Sequence, residues 1–251
     1  MCGRYSLFVD SDELASAFDV RVPERFEPRY NAAPGQDLPV IRSDGDDELT
    51  YANWGLVPSW ADDPADASKP INARCETVRE KPTFRGAFES NPGGDGGDDE
   101  ATAGRCLVPA DGFYEWVETG SGGSKQPYRV TMQDDEPFAM AGLFAVWEGV
   151  ERQPGLDAFA GGSAEPETKH HVSFTVLTTE PNELVADLHH RMAVLLAPEE
   201  YGTWLHGDAD EAAALLDPYP ADGMRAYPVS TAVNDPSNDG PMVVEPVDAE
   251  G

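Results

Sequence analysis

Strand-like runs follow one another along this chain with no regular alternation of strand and helix, and that pattern restricts the fold more than any other feature. Val172, Phe174 and Val176 alternate with Ser173 and Thr175, the two-residue period of a strand with one buried face. Further runs occupy Tyr128 to Met132, Phe138 to Trp147 and Met192 to Leu196. Helical signals are few. Asp10 opens a short helix, with Glu13 three residues on as a capping box and Val9 and Leu14 as a hydrophobic staple. Thr179 to Leu188 predicts a second helix, capped by Thr179, and Pro198 to Leu205 and Asp210 to Leu216 predict two more. Turn formers crowd Ser90 to Gly104 and Thr119 to Ser124, which predict surface loops; 151–168 is a third loose stretch and 242–251 a flexible tail. Many short strands without β-α-β units predict a single α+β domain over 1–251. Its sheet is mainly antiparallel, bent or barrel-like, with a few peripheral helices.

The 251 residues, 40% of them apolar, are enough for a sizeable core. No stretch approaches the ~18 uninterrupted apolar residues of a membrane span, and Met1 to Tyr5 carries no signal-peptide core. Three cysteines, Cys2, Cys75 and Cys106, argue against a disulfide framework and fit a reducing compartment. The expectation is a cytoplasmic monomer. Charge is extreme: 47 acidic residues against 17 basic, a formal net of −30. The acid is dispersed along the chain, which reads as the carboxylate-solvated surface of a protein from a salt-loving organism.

Four groups of residues could carry chemistry. Cys2 would become the terminal residue if Met1 were removed, and a terminal cysteine is a 1,2-aminothiol. Its α-amine has a pKa near 7.7–8.0 and its thiol one near 8.5. An aldehyde can condense with the amine to an imine, and the thiol can then close a five-membered thiazolidine at an effective molarity of roughly 10⁵ M or more. Glu115 lies inside the aromatic run Gly112-Phe113-Tyr114-Glu115-Trp116, where burial would raise its pKa and suit it to general acid/base work. His189, in Leu188-His189-His190-Arg191-Met192, titrates near neutrality. The pairs His189-His190 and His170-His171 lack ligands at zinc spacing, so no metal and no cofactor is expected. Asn72 and Arg74, in Ile71 to Thr77, offer an amide donor and a bidentate phosphate binder, and the nearby Trp54 and Trp60 offer stacking surfaces. Each group also has an ordinary structural role: an incidental cysteine, an edge-strand glutamate, a helix-end histidine, core tryptophans.

Taken in order, the segments MCGRY (1–5), RYNAAPG (29–35), WGLVPSWA (54–61), INARCET (71–77), KPTFRGAF (81–88), RCLVPADGFYEW (105–116), MAGLF (140–144), FTVLTTEPN (174–182), HHRMAVLL (189–196) and PVSTAVNDPSNDGP (228–241) make a pattern. The chain resembles the SOS-response-associated peptidase family, the abasic-site-processing proteins, over essentially its whole length. The resemblance implies a positively lined cleft for single-stranded DNA and a covalent bond between Cys2 and an abasic site once Met1 is removed, a removal thought to be self-catalysed. It implies catalytic roles for Cys2, Asn72, Glu115 and His189, with His189 as acid on the sugar oxygen. It implies DNA contacts by Arg4, Pro34, Trp60, Arg74, Trp116 and Thr178, and weak lyase activity through the imine. Where the family usually has proline, this chain has Ala193, which is expected to loosen the backbone after His189.

The charge opposes this reading, since a surface at −30 repels DNA. At molar salt the Debye length is about 3 Å, so only contact-range charges count. A local basic cleft around Arg4, Arg74 and Arg191 is therefore expected in an acidic shell. Two rivals come from other classes: an amidohydrolase using Cys2 as N-terminal nucleophile on glutamine, and a noncatalytic single-strand-binding module. The covalent reading needs Met1 gone and the new terminus open to solvent.

Overall fold

The computed structural model describes residues 2–44, 48–90, 102–119, 124–150 and 168–248. Thirteen strands run in chain order: β1 (Tyr5–Leu7), β2 (Arg29–Ala32), β3 (Asp37–Arg42), β4 (Leu49–Trp54), β5 (Asn72–Arg74), β6 (Ala103–Ala110), β7 (Gly112–Thr119), β8 (Ser124–Met132), β9 (Phe138–Val150), β10 (Thr168–Thr179), β11 (Met192–Ala193), β12 (Leu195–Leu196) and β13 (Met224–Pro228). Among the described residues five short α-helices accompany them: α1 (Ser11–Phe18), α2 (Pro82–Glu89), α3 (Glu183–Ala186), α4 (Tyr201–His206) and α5 (Ala209–Ala213).

The expected α+β class and bent, barrel-like sheet are what the chain forms. Strands β10, β4, β3, β6 and β9 pair in that sequence, and β9 pairs again with β10, closing a five-stranded ring. All these pairings are antiparallel except β4 with β10. Closure leaves no free edge in the ring, which removes the aggregation hazard of an open sheet. A second, all-antiparallel sheet runs β13-β8-β7-β1-β2. The chain crosses from ring to second sheet at Asp111, between β6 and β7, where the Asp111 carboxylate accepts from the Ser6 hydroxyl at 2.6 Å and pairs with Arg129 at 2.8 Å. Alternation along β7 sends Phe113 into the main core and Tyr114 into a smaller cluster with Val229, Val233 and Val243.

Several local expectations hold. The Asp10 side chain accepts from the backbone N–H groups of Asp12 and Glu13 and caps α1, whose Leu14 and Phe18 are buried one turn apart. Others are corrected. The second helix starts at Glu183 rather than after Thr179, capped by Asn182, because Thr178 and Thr179 continue β10 and pair with β11. Met192 to Leu196 is two short strands: β11 pairs β10 and β12 pairs β9. Ala193 is buried in β11 opposite Thr178, so the backbone after His189 is held in a sheet and not loosened. The expected loops are shortened by strand ends at Ala103, Thr119, Ser124 and Thr168, and their remaining residues lie outside the described ones. Nor is 242–247 a tail: Val243 is buried, and the Val247 N–H donates to the Pro228 carbonyl at 3.0 Å. Among the described residues no helix is long and apolar enough to cross a membrane.

Candidate active site

Cys2 reaches its position through β1. The β1–β7 register places Tyr5 opposite Phe113, and the Tyr114 N–H donates to the Arg4 carbonyl at 3.0 Å. Continuing that antiparallel register lays Gly3 alongside Glu115. From the other side, β5 runs parallel to β10 and brings Asn72 to the same point, where its Nδ2 donates to the Cys2 carbonyl oxygen at 2.9 Å. The Asn72 Oδ1 is buried with no hydrogen-bond partner among the described residues.

The electrostatics follow from burial. Glu115 is 2% exposed and shares the core-facing side of β7 with Phe113; burial lifts its carboxyl from an ordinary 4.5 to about 7. Cys2 is fully buried, and burial, then the charge of Glu115, push its thiol up to about 12, so the thiol is protonated. In the chain that still carries Met1, Cys2 is closed off from solvent. His189 follows α3 and is half-buried, which lowers its pKa. Its ring stands 4.2 Å from that of His190. Its Nδ1 receives the Arg191 N–H at 3.1 Å and lies 3.0 Å from the Arg191 carbonyl oxygen.

The protein-family profile described as SOS response associated peptidase (SRAP) matches residues 1–236. The chain belongs to the SRAP family. Two bacterial relatives are similar over nearly their full length. Abasic site processing protein YoqW of Bacillus subtilis (strain 168) is 38% identical over 98% of this chain and 99% of its own. Abasic site processing protein YoaM of the same strain is 37% identical over 100% and 99%. A solved structure from Bacteroides thetaiotaomicron matches with a TM-score of 0.78 at 26% identity, covering 98% of this chain and 100% of that one.

Against the DNA contacts implied by SRAP membership, the remaining residues divide. Trp60 is 67% exposed. Pro34 is exposed at a turn whose next residue, Gly35, has φ +83°; with Pro then Gly at its centre this is a type II turn, which needs glycine there. Arg74 is exposed, with no ion pair among the described residues. Trp116 is half-buried, and its Nε1–H donates to Asn234 Oδ1 at 2.7 Å. Arg4 stands 5.9 Å over the Trp116 ring and donates to Asn31 Oδ1 at 2.6 Å and to the Val233 carbonyl at 2.7 Å. Thr178 is buried with its hydroxyl on the Ala73 carbonyl, away from the surface.

Arg191 departs furthest from expectation. A free cation was expected, but both its terminal nitrogens hold the Glu76 carboxylate, and Nη2 also meets the Thr178 carbonyl. That pairing keeps Glu76 ionised, down to about 2. Of the three arginines expected to form a basic cleft, Arg4 and Arg74 are the ones without a carboxylate partner among the described residues. Sequence reasoning missed the residues that support the site: Glu76, Asn31 and Asn234. Their partners lie 115, 27 and 118 residues away, and no local spacing marks them.

Proposed function

We propose that this chain processes abasic sites in single-stranded DNA, capturing the opened sugar on Cys2 after Met1 is lost. The observation that carries the reading is the meeting of Cys2, Asn72 and Glu115 at one buried point. His189, as acid, gives a proton to the ring oxygen as the sugar opens to its aldehyde. The freed α-amine of Cys2 adds to that carbon. Asn72 steadies the Cys2 carbonyl through Nδ2, and its open Oδ1 can accept an amine N–H. Glu115, poised near neutrality, takes a proton from the amine and returns it to the departing hydroxyl, releasing one water and leaving an imine. Sγ then adds to the imine carbon, and the thiol proton passes to nitrogen, closing a thiazolidine. Because the thiol adds only after the imine has formed, the amine acts first and the sulfur need not be ionised beforehand.

The same groups account for a self-processing peptidase, in which water is added across the Met1–Cys2 bond, and for weak lyase activity by β-elimination from the imine. Removal of Met1 has to open the Cys2 position, which is sealed in the full-length chain. Arg74 and Arg4 hold phosphates, and Trp60 and Pro34 lie against bases beside the lesion.

A denaturing gel separates covalent capture from plain binding. Single-stranded DNA with a natural abasic site is expected to give a retarded band with wild type. Cys2→Ala should give none, and neither should DNA whose abasic analogue has no aldehyde. Equal retention of both DNAs in a native gel, with no denaturant-stable band, would mean a noncatalytic binding module.

A further inference from the structure

We propose that Glu76 is a positioning residue that acts on His189 through Arg191, an inference that rests on the role given to His189 above. The connection is a short chain of contacts. Glu76, in the turn Cys75–Thr77 after β5, grips the Arg191 guanidinium through both of its terminal nitrogens. The Thr178 carbonyl on β10 holds the same guanidinium. Arg191 is nine-tenths buried at its side chain, and the residue after it, Met192, pairs with Thr179 of β10. The Arg191 main chain offers Nδ1 of His189 two contacts at once: an N–H at 3.1 Å and a carbonyl oxygen at 3.0 Å.

Two contacts of opposite kind on one nitrogen serve different protonation states. When Nδ1 is bare, it accepts the Arg191 N–H, and the ring proton sits on Nε2. When the ring is charged, Nδ1–H donates to the Arg191 carbonyl and Nε2–H is the proton available to a sugar oxygen. After that proton leaves, the Nδ1–H bond persists and Nε2 is a base. In each state the Arg191 backbone occupies Nδ1, so it fixes which nitrogen works. Without Glu76, the Arg191 side chain loses the contact that anchors this backbone. A phosphate contact by Arg191 would require breaking the same pair, so the positioning role also explains why this arginine is neutralised at a site for DNA.

The test measures the adduct-forming rate at saturating abasic single-stranded DNA in a double-mutant cycle. Glu76→Gln is expected to slow wild type about tenfold, less than the ~10²–10⁴-fold that a general acid itself contributes, and to have no further effect in a His189→Asn background. Nitrogen NMR of the His189 ring is expected to show a hydrogen-bonded Nδ1 in wild type and loss of that bond in Glu76→Gln. Glu76→Asp, which keeps the charge and shortens the reach, is expected to show a smaller slowing with the same dependence on His189. If Glu76→Gln fails to fold, that variant carries the cycle. Equal slowing in both backgrounds, or none in either, overturns the positioning role while leaving Cys2 capture intact. A wild type that forms no adduct overturns both.

Discussion

Glu115 holds a carboxyl where water does not reach, and its proton is correspondingly hard to remove. The folded chain binds that proton more tightly than the unfolded chain, whose carboxyl titrates near its ordinary 4.5. Its contribution to stability is therefore fully present below the unfolded value and is lost as pH rises through about 7. The displacement from 4.5 to about 7 corresponds to a loss on the order of 3 kcal/mol across that window. Glu115→Gln carries no such penalty. In urea denaturation the variant is expected to be the more stable near pH 8, with the gap shrinking as pH falls toward 5. A gap of constant size would mean that the carboxyl ionises in the fold as it does in water. Cys2, Asn72, Glu115 and His189 could be picked out in the sequence because each sits in a short motif with a chemical rationale. The state of each could not: the sealed thiol of Cys2 and the occupied guanidinium of Arg191 depend on groups far along the chain.

At the scale of elements, the site is fastened by its two chain ends. The Asn31 side chain, on β2, donates through Nδ2 to the carbonyls of Val233, Asp235 and Asn238 and accepts from Arg4. Asp239 receives the backbone N–H groups of Tyr30 and Asn31. The segment 230–240 is thereby strapped across β2 and against Trp116 through Asn234. Removing the Asn31 amide takes the donor from the Asn238 carbonyl and leaves the Val233 and Asp235 carbonyls with one donor each, a cost of about 1–3 kcal/mol. Asn31→Ala is expected to lower stability by that amount and to speed hydrogen exchange in 232–238 more than in β9. Uniform exchange throughout would argue against a strap. The strand over Val172 to Val176 was legible by its alternation, although the expected single buried face was not met: the ring buries Ser173 and Thr175 as fully as Phe174 and Val176. Residues Leu107 to Ala110 of β6 are all buried, because the closed ring covers both faces, and such a run shows no alternation to read. The expected helix from Thr179 failed for a related reason: pairing with β11 outweighed a local cap signal.

For the whole molecule, the tension is between a formal net charge of −30 and a polyanionic partner. The cations at the proposed cleft are few. Arg191 is neutralised by Glu76, which leaves Arg4 and Arg74 as the charged contacts. Noncovalent attraction is thus expected to supply little of the lifetime on DNA, and a covalent bond is what makes the complex persist. Intact mass spectrometry of the full-length protein mixed with abasic single-stranded DNA reads that claim directly. The account expects wild type to lose Met1 and to gain the mass of the oligonucleotide less one water, and Cys2→Ala to gain nothing. Retention of Met1 with no adduct, or an adduct that survives in Cys2→Ala, would contradict it.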